Sequence, residues 1–464
     1  MNKQLLLALL AGGIATATTA TVHAQANDAL LNKLVSKGLL TKQEADELKT
    51  ESDAGFDKSY RTKTGLPEWV TQFKLYGDMR GRFDHDTLEN DDQGGPNVDR
   101  ERFRYRLRVG TTVSMKNNLE LGFRLATGDA DNATQGGNPI SGNQTARDNA
   151  SKKFAFIDLA YGKWTPIKND HWTASASVGK IENPFVTTDM VFDPDYTPEG
   201  VALQLAYQLN AVHTFKLMGA AFVMDENNQG AITEDPMLLG GQVRWDAKWN
   251  KRIETTLGLG AFAISDSRTL LNGSVPNINA GNNRDNVQFL DTNRTANPNF
   301  GRLVSDYTPI IADTALTYFF EAGQAYPGAL PLKFSGSFMH NPGADDDNNA
   351  YEAGLQLGKA GKKGAWEVSA RYKHLEKDAT YEELVDDDFG SYYAATPAGS
   401  ARSAGYSSGT NVRGVILKAA YSPYDALTLA VTYFATELID HPSATVKEKD
   451  SGSGRLYVDA IWKF

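Results

Sequence analysis

The chain contains no cysteine among its 464 residues, so no disulfide framework holds the fold together. Beyond the amino terminus it has no run of about 18 apolar residues, which excludes a bundle of membrane-spanning helices. Basic charge is not in excess either: 57 acidic residues outnumber 47 basic ones, which argues against nucleic acid as a partner. A soluble exported protein and a β-barrel both fit these absences, because lumen-facing residues dilute the apolar signal of barrel strands.

The first 24 residues are typical of a secretory signal peptide. Lys3 provides a positive charge, Leu5–Ile14 form an apolar run, and Val22-His23-Ala24 provide the small residues of a cleavage site. The run is too short for a membrane-spanning anchor, which is the alternative interpretation. We expect cleavage before Gln25, which removes one lysine and no acid and changes the net charge from −10 to −11.

Residues 25–51 have a helical period that the rest of the chain lacks. An amphipathic stretch ends at Gly38, a residue typical of the carboxyl end of a helix. Thr41-Lys42-Gln43-Glu44 is a capping box, which predicts the start of a second helix. Two helices of this length do not fold alone. We therefore expect a short helical segment, followed by a polar linker over residues 52–68 and a separate domain.

Alternation of apolar and polar residues begins at Trp69 and continues to Phe464. A period of two is that of a β-strand with one apolar and one polar face. We predict sixteen strands, near residues 71–85, 101–115, 119–128, 154–165, 171–182, 200–210, 213–225, 237–249, 251–265, 309–320, 331–340, 350–359, 364–375, 411–421, 426–438 and 453–464.

The connections between these strands alternate between short and long. Residues 116–118 and 211–212 are short turns, whereas residues 266–308 and 376–410 are long loops. This rhythm, an even strand count and a final aromatic residue are typical of an outer-membrane barrel. We predict an all-β fold, a transmembrane antiparallel β-barrel of about 16 strands over residues 69–464, with the helical segment on its periplasmic side.

The second predicted strand is unusual because arginine occupies every second position from 102 to 108. The residues between the arginines are apolar, so one face of this strand is cationic and the other is apolar. In a large barrel the apolar face meets lipid and the cationic face lines a water-filled lumen. Arginines on three adjacent strands form a predicted basic wall of the pore: Arg80, Arg82, Arg102, Arg104, Arg106, Arg108 and Arg124. Alternatively, they only solvate the lumen and pair with Asp78, Asp84 and Glu120.

The third long connection, residues 183–199, combines acidic residues with apolar ones and three prolines. Its acids are Asp189, Asp193, Asp195 and Glu199. A solvated surface loop rarely needs so much apolar packing, and proline stiffens the backbone. We predict that this loop folds into the barrel mouth and forms a constriction opposite the arginine wall, which sorts solutes by size, charge and dipole. The alternative is a lid packed on the rim.

Three stretches resemble the putative-porin family of Gram-negative outer membranes. They are G-K-I-E-N-P-F with V-F-D-P-D-Y-T-P-E-G over residues 179–200, the arginine-rich second strand, and the terminal I-W-K-F. The resemblance implies a general porin-like channel for passive diffusion of small hydrophilic solutes and ions, surrounded by outer-membrane lipid and lipopolysaccharide. By analogy it also implies a homotrimer.

Other chemistry has little support in the sequence. The six histidines of the exported chain fall near strand ends or in loops, so we predict that the protein is not an enzyme. Acidic runs at 89–92, 129–131 and 345–349 are candidates for weak Ca²⁺ binding, although Ala350 stands where an EF-hand needs glycine. No other cofactor is expected.

A structural or adhesive outer-membrane barrel, anchored to periplasmic partners by its N-terminal helices, is the second function that the sequence allows. A plugged, narrow barrel would favour this function. An open lumen crossed by the 183–199 loop would favour the channel.

Overall fold

The computed structural model describes residues 35, 37, 41–49, 65–88, 98–129, 136–227, 234–271, 279–285, 301–393, 399, 405–440 and 451–464. The chain divides into two compact units, Met1–Thr71 and Gln72–Phe464. Within the described part of the chain, no helix is long and apolar enough to cross a membrane. The predicted signal peptide and the predicted helix end at Gly38 lie outside the described residues.

The first unit contains a helix over residues 42–49 that begins with the predicted capping box. The Thr41 backbone N–H donates to Glu44 Oε2 at 2.8 Å, and the Glu44 backbone N–H donates to Thr41 Oγ1 at 3.2 Å. The hydrogen bonds from Thr41 lower the pKa of the Glu44 carboxyl, because they stabilise its charged form. The two residues thus satisfy backbone donors that the first turn of a helix leaves free.

The second unit is a closed antiparallel barrel of sixteen strands, as the sequence predicts. They are β1 (Val70–Leu88), β2 (Val98–Met115), β3 (Leu119–Gly128), β4 (Phe154–Lys168), β5 (Trp172–Lys180), β6 (Glu199–Gln208), β7 (His213–Val223), β8 (Met237–Lys248), β9 (Ile253–Ile264), β10 (Ile310–Phe320), β11 (Leu330–His340), β12 (Asn349–Gly358), β13 (Trp366–Leu375), β14 (Val412–Tyr424), β15 (Leu427–Leu438) and β16 (Ser453–Lys463). β1 pairs with β2 and with β16, which closes the barrel and leaves none of these strands as an edge.

Apolar side chains point out of the barrel and polar ones point into it. On β2, Phe103 and Leu107 face outward and are 67% and 39% exposed, whereas Arg106 faces the lumen and is 7% exposed. The period of two therefore produces the lipid-facing and lumen-facing surfaces of a membrane barrel.

Replacing Leu107 with arginine is expected to destabilise the barrel by about 2–4 kcal/mol, because a charge on the lipid face must be desolvated. Urea unfolding of the refolded protein in lipid vesicles measures this cost. The control Ser369→Arg adds the same charge at a lumen-facing position of β13, between Gln356 and Lys418. It is expected to cost less than about 1 kcal/mol. Equal costs for the two variants would contradict the assignment of the two faces.

Short turns join the strands at one end of the barrel, the turn end, and long loops join them at the other, the loop end. The turns are residues 116–118, 169–171, 209–212, 249–252, 321–329, 359–365 and 425–426. Loops 1 to 8 are, in order, residues 89–97, 129–153, 181–198, 224–236, 265–309, 341–348, 376–411 and 439–452. The alternation of short and long connections agrees with the sequence, except that the turn over residues 321–329 is as long as loop 1 and longer than loop 6.

Tryptophan is confined to one end of the barrel. Six of the seven tryptophans lie in turns or in the parts of the strands nearer the turns: Trp164, Trp172, Trp245, Trp249, Trp366 and Trp462. The seventh, Trp69, directly precedes β1. The amphipathic indole ring is enriched at membrane interfaces, so the turn end has an aromatic belt.

The apolar core lies inside the barrel, where loops 3, 5 and 7 pack together. Met190 of loop 3, Tyr307 of loop 5 and Phe389 of loop 7 belong to one cluster and are at most 1% exposed. Burial of such a side chain contributes about 1.5–3 kcal/mol. These long loops therefore fold inward and occupy part of the lumen.

Candidate functional site

Loop 3 crosses the lumen. Near its start, the Val186 N–H donates to Gln242 Oε1 of β8 at 2.9 Å, and Gln242 Nε2 donates to the Val186 carbonyl at 2.8 Å. In its middle, Asp189 lies 2.6 Å from Lys373 Nζ and 2.8 Å from Arg371 Nη2, both on β13. The loop thus leaves β5, reaches β8 and β13, and returns to β6.

The last part of loop 3 docks on the arginine strand. Asp195 accepts hydrogen bonds from Arg106 Nη1 at 2.5 Å and from Arg108 Nη1 at 3.0 Å. The same two arginines donate to Asp78 of β1, at 3.2 and 2.7 Å. Two carboxylates therefore hold two guanidinium groups. At this point the acidic loop is in direct contact with the arginine wall.

The other three predicted acids of the loop lie elsewhere. Asp189 faces β13, which is separated from β2 by β14, β15, β16 and β1. Asp193 is 5% exposed and packs against loop 7. Glu199 is the first residue of β6, where its Oε1 lies 3.3 Å from Lys180 Nζ. Of the four acids, only Asp195 contacts the arginine wall.

The wall arginines nearer the loop end pair with acids of β1. Arg102 Nη2 donates to Asp84 at 2.5 Å and to Asp86 at 3.0 Å. Arg104 Nη1 donates to Asp84 at 3.4 Å. Together with Asp78, Asp84 forms the pairs that the sequence offered as the alternative to a free basic wall.

Arg124 on β3 extends the wall toward β4. Its Nε donates to Asp158 of β4, and its Nη1 lies 3.6 Å from Glu182. Glu120, the partner suggested by the sequence, instead accepts a hydrogen bond from the Tyr161 hydroxyl at 3.0 Å. The expected pairing of Glu120 with the arginines is therefore wrong, and Asp158 takes its place.

Loop 7 docks on the wall through Asp388, a residue that the sequence pattern did not single out. Arg82 Nη1 lies 3.1 Å from Asp388 and Arg82 Nε lies 2.8 Å from Asp459 of β16. The Tyr457 hydroxyl donates to Asp388 Oδ1 at 2.8 Å. Burial disfavours the charged form of Asp388, but Arg82 and Arg455 outweigh it and hold the pKa of this carboxyl below its ordinary value.

Arg80 has no carboxylate partner among the described residues. Its Nη2 donates to Asn143 Oδ1 of loop 2 at 2.6 Å. The adjacent residues of loop 2, Gln144–Thr145, form a short strand that pairs with β2 at Tyr105 and Arg104. Loop 2 therefore continues the arginine wall past the end of β3, toward the loop end of the barrel.

Loops 5 and 7 are tied together by buried polar contacts. Arg284 Nη2 of loop 5 donates to Glu382 Oε1 of loop 7 at 2.6 Å, and both side chains are at most 2% exposed. The Tyr307 hydroxyl donates to Asp378 Oδ1 at 2.9 Å. Loops 5 and 7 therefore form one packed unit inside the lumen, in contact with loop 3.

Three carboxylates meet where loops 3 and 7 touch. Oxygen atoms of Asp193, Asp386 and Asp387 lie within 4.8 Å of one another. Backbone bonds join the loops there: the Asp193 N–H donates to the Leu384 carbonyl at 2.7 Å. Burial, and then the neighbouring carboxylates, raise the pKa of Asp386 and of Asp387 to about 7. The pKa of Asp193 is also raised, for the same reasons.

Two acids of the runs considered for Ca²⁺ have protein partners in the described part of the chain. Asp129 accepts hydrogen bonds from the Gln144 amide at 2.5 Å and the Thr145 hydroxyl at 3.0 Å. Asp347 lies 3.5 Å from Lys377 Nζ. Residues 89–92 lie outside the described residues. Ca²⁺ binding at these runs stays a prediction.

A cavity of about 670 Å³ lies between loop 3, the arginine strand and loops 2, 4, 5 and 7. Arg106, Arg108 and Asp195 line it, and so do the apolar side chains of Leu270 and Leu384. The cavity thus lies directly beside loop 3 and the arginine wall.

One segment has the spacing of a hydrolase nucleophile. Residues Gly405 to Gly409 read Gly-x-Ser-x-Gly, with Ser407 in the central position. Gly405–Ser408 is a β-strand that pairs with Gly390–Tyr393 in loop 7, and Ser407 is 3% exposed. A nucleophile elbow requires an exposed serine on a sharp turn between a strand and a helix. The context therefore does not support an esterase site.

A closed sixteen-stranded antiparallel barrel with an apolar exterior, a polar interior and a long loop folded into its lumen is a porin-type barrel of the outer-membrane class. Residues 95–292 match the model of a family described as "putative porin". The match includes the arginine strand and loop 3, and it confirms the resemblance found in the sequence. Both this match and the barrel fold point to a channel.

Among curated proteins, none matches the chain. Solved porin structures are similar at low sequence identity. The high-pH structure of OprB from Pseudomonas putida is 11% identical, with 87% of this chain and 96% of that chain covered and a TM-score of 0.48. OmpF of Salmonella typhi in complex with daunomycin is 10% identical, with 84% and 97% covered and a TM-score of 0.44. A porin mutant of Rh. blastica is 12% identical, with 85% and 100% covered and a TM-score of 0.38.

Proposed function

We propose that the chain forms a water-filled channel in the bacterial outer membrane for passive diffusion of small hydrophilic solutes and ions. Loop 3 narrows this channel against the arginine wall. The observation that carries the proposal is the position of Asp195 between Arg106 and Arg108, beside a cavity of about 670 Å³. A polar lumen bounded by charged side chains lets hydrated solutes pass and discriminates among them.

Single-channel recording in a planar bilayer tests the proposal, with Asp195→Asn in parallel. The wild type is expected to give stable conductance steps. The variant leaves Arg106 and Arg108 with less compensation, so its reversal potential in a KCl gradient is expected to shift toward chloride. The matched control is Glu367→Gln, which removes a lumen carboxylate 2.9 Å from Lys418, near the turn end.

The comparison of the two variants tests where the constriction lies, whereas the wild-type recording tests whether the protein forms a channel. Equal shifts in Asp195→Asn and Glu367→Gln would show that loop 3 is not the selective part of the lumen. Absence of conductance steps in the wild type would contradict the channel itself.

A structural or adhesive barrel, anchored to periplasmic partners by residues 25–51, is the second candidate. The packing of loops 5 and 7 inside the lumen, through pairs such as Arg284–Glu382, favours it. A closed barrel is expected to be silent in the bilayer and to bind a periplasmic partner only when residues 25–51 are present.

The proposal includes the expected location and partners. Residues 1–24 direct export and are cleaved, residues 25–51 remain in the periplasm, and residues 69–464 sit in outer-membrane lipid and lipopolysaccharide. The assembly is a homotrimer by analogy, and acidic outer loops bind Ca²⁺ weakly. Mass spectrometry of the mature protein in detergent measures both the cleavage site and the oligomeric state.

A further inference from the structure

The cavity beside loop 3 has twice as many acidic as basic side chains in its lining. Its carboxylates are those of Asp158, Asp195, Glu199, Asp225, Glu226 and Glu383. Its cationic side chains are Arg106, Arg108 and Lys180. The cavity is therefore acidic overall, although it lies against the arginine wall.

The cationic groups of this lining are already compensated. Arg106 and Arg108 each bind both Asp195 and Asp78, and Asp78 lies on β1 behind them. Lys180 Nζ donates to the Thr197 carbonyl at 2.9 Å and lies 3.3 Å from Glu199. Little positive charge remains for an anion that enters the cavity.

Two carboxylates of the lining have no such compensation. Asp225 and Glu226 of loop 4 have no cationic side chain within 4.0 Å among the described residues, and Glu226 is exposed. Asp225 Oδ1 accepts only the backbone N–H of Glu226, at 2.9 Å, in the described part of the chain. These two side chains supply most of the excess negative charge of the cavity.

Uncharged polar side chains such as Thr127 and Ser141 also line the cavity, together with a set of apolar ones. The apolar set includes Phe156, Tyr196, Met224, Leu270 and Leu384. The volume, about 670 Å³, is in the range of small-molecule sites, which combine apolar walls with a few polar groups. Aromatic faces such as those of Phe156 and Tyr196 also attract cations.

We propose that this cavity is the entrance of the permeation path and that it selects small organic cations, namely amines with a compact apolar group, over anions of the same shape. The inference rests on the proposed channel function and names its preferred solute class. Negative charge in a cleft with low-dielectric walls focuses the field and concentrates cations at the entrance. The apolar walls then contact the uncharged part of the solute.

Reversal potentials in planar bilayers test the inference with two probes that share one ring, phenethylamine hydrochloride and sodium phenylacetate. The wild type is expected to pass phenethylamine several-fold better than phenylacetate, and potassium better than chloride. The double variant Asp225→Asn/Glu226→Gln is expected to lower both ratios about two-fold for each charge removed, as for partly screened charges at short range.

The control variant is Glu437→Gln. Glu437 is an exposed carboxylate near the loop end of β15, 2.7 Å from Arg413, and it does not line the cavity. Its replacement is expected to leave both ratios unchanged. A shift as large as that of the double variant would assign the selectivity to general surface charge and overturn the inference.

The outcomes separate this inference from the channel proposal. Stable conductance steps with equal or anion-favouring ratios in the wild type would overturn the cation inference and leave the channel standing. A wild type without steps would overturn the channel proposal, and the inference with it.

Discussion

Replacement of Asp388 by asparagine is expected to release loop 7 from the arginine wall and to increase the single-channel conductance. Arg82 is 6% exposed and would keep only Asp459 as a charged partner. Because Arg82 keeps Asp459, the loss is expected to cost less than about 3 kcal/mol, the lower end of the range for a buried ion pair that is fully broken. Planar-bilayer recording measures the conductance, and limited proteolysis measures the exposure of loop 7.

The matched control is the neighbouring substitution Asp387→Asn, studied at pH 6. Burial raises the pKa of Asp387 to about 7, so its carboxyl is mostly protonated at that pH. An amide in place of a neutral carboxyl removes little charge, and the conductance and cleavage rate are expected to stay close to wild type. Identical behaviour of the two variants would mean that Asp388 does not hold loop 7.

A rise in pH from 5 to 8 is expected to weaken the contact between loops 3 and 7. The folded-state pKa of Asp386 and of Asp387, raised by burial to about 7, lies well above the ordinary value of 3.8. A carboxyl with a raised pKa stabilises the docked state fully below its unfolded pKa and loses that contribution as the pH rises through the folded value. The loss therefore falls between about pH 4 and just above pH 7.

Some of the charged groups that face Asp386 and Asp387 raise the pKa values of these carboxyls, and others lower them. For Asp386, Lys373 of β13 lowers the pKa and Asp189 of loop 3 raises it. For Asp387, Asp388 raises the pKa and Arg104 of β2 lowers it. The cations offset only part of the effect of burial and of the neighbouring carboxylates, so both pKa values stay above the ordinary value.

Conductance and proteolysis of loop 7, measured at pH 5, 6, 7 and 8, test this expectation. Both quantities are expected to increase with pH in the wild type. The double variant Asp386→Asn/Asp387→Asn is expected to show a flatter profile, because its amides do not ionise. A wild-type slope that persists in the variant would place the titrating group elsewhere.

The barrel could be predicted from sequence because each strand carries its own signal. A period of two, as on β2, decides which side chains face lipid, and short polar turns such as residues 116–118 decide where a strand ends. Both signals depend only on neighbouring residues in the sequence, so they can be recognised without knowledge of the tertiary structure. The burial of loop 3 was also readable, since Phe185, Met190 and Phe192 interrupt its acidic residues.

The partners inside the lumen could not be predicted in the same way. Arg82 binds Asp459, which is 377 residues away, and only closure of β1 against β16 brings them together. The sequence analysis predicts loop 7 only as a long loop, yet Y-E-E-L-V-D-D-D-F over residues 381–389 has the same mixture of apolar and acidic residues as loop 3. That mixture is the signal that could have identified it.

The one-sided placement of tryptophan has a spectroscopic consequence. All six tryptophans of the barrel report on the turn end, and Trp69 directly precedes β1. Bilayers with brominated acyl chains in a single leaflet would therefore quench the intrinsic fluorescence according to which leaflet holds the turn end. The tryptophan emission therefore reports the direction in which the barrel inserts into the bilayer. Movement of loop 7, at the loop end, is expected to leave this emission unchanged.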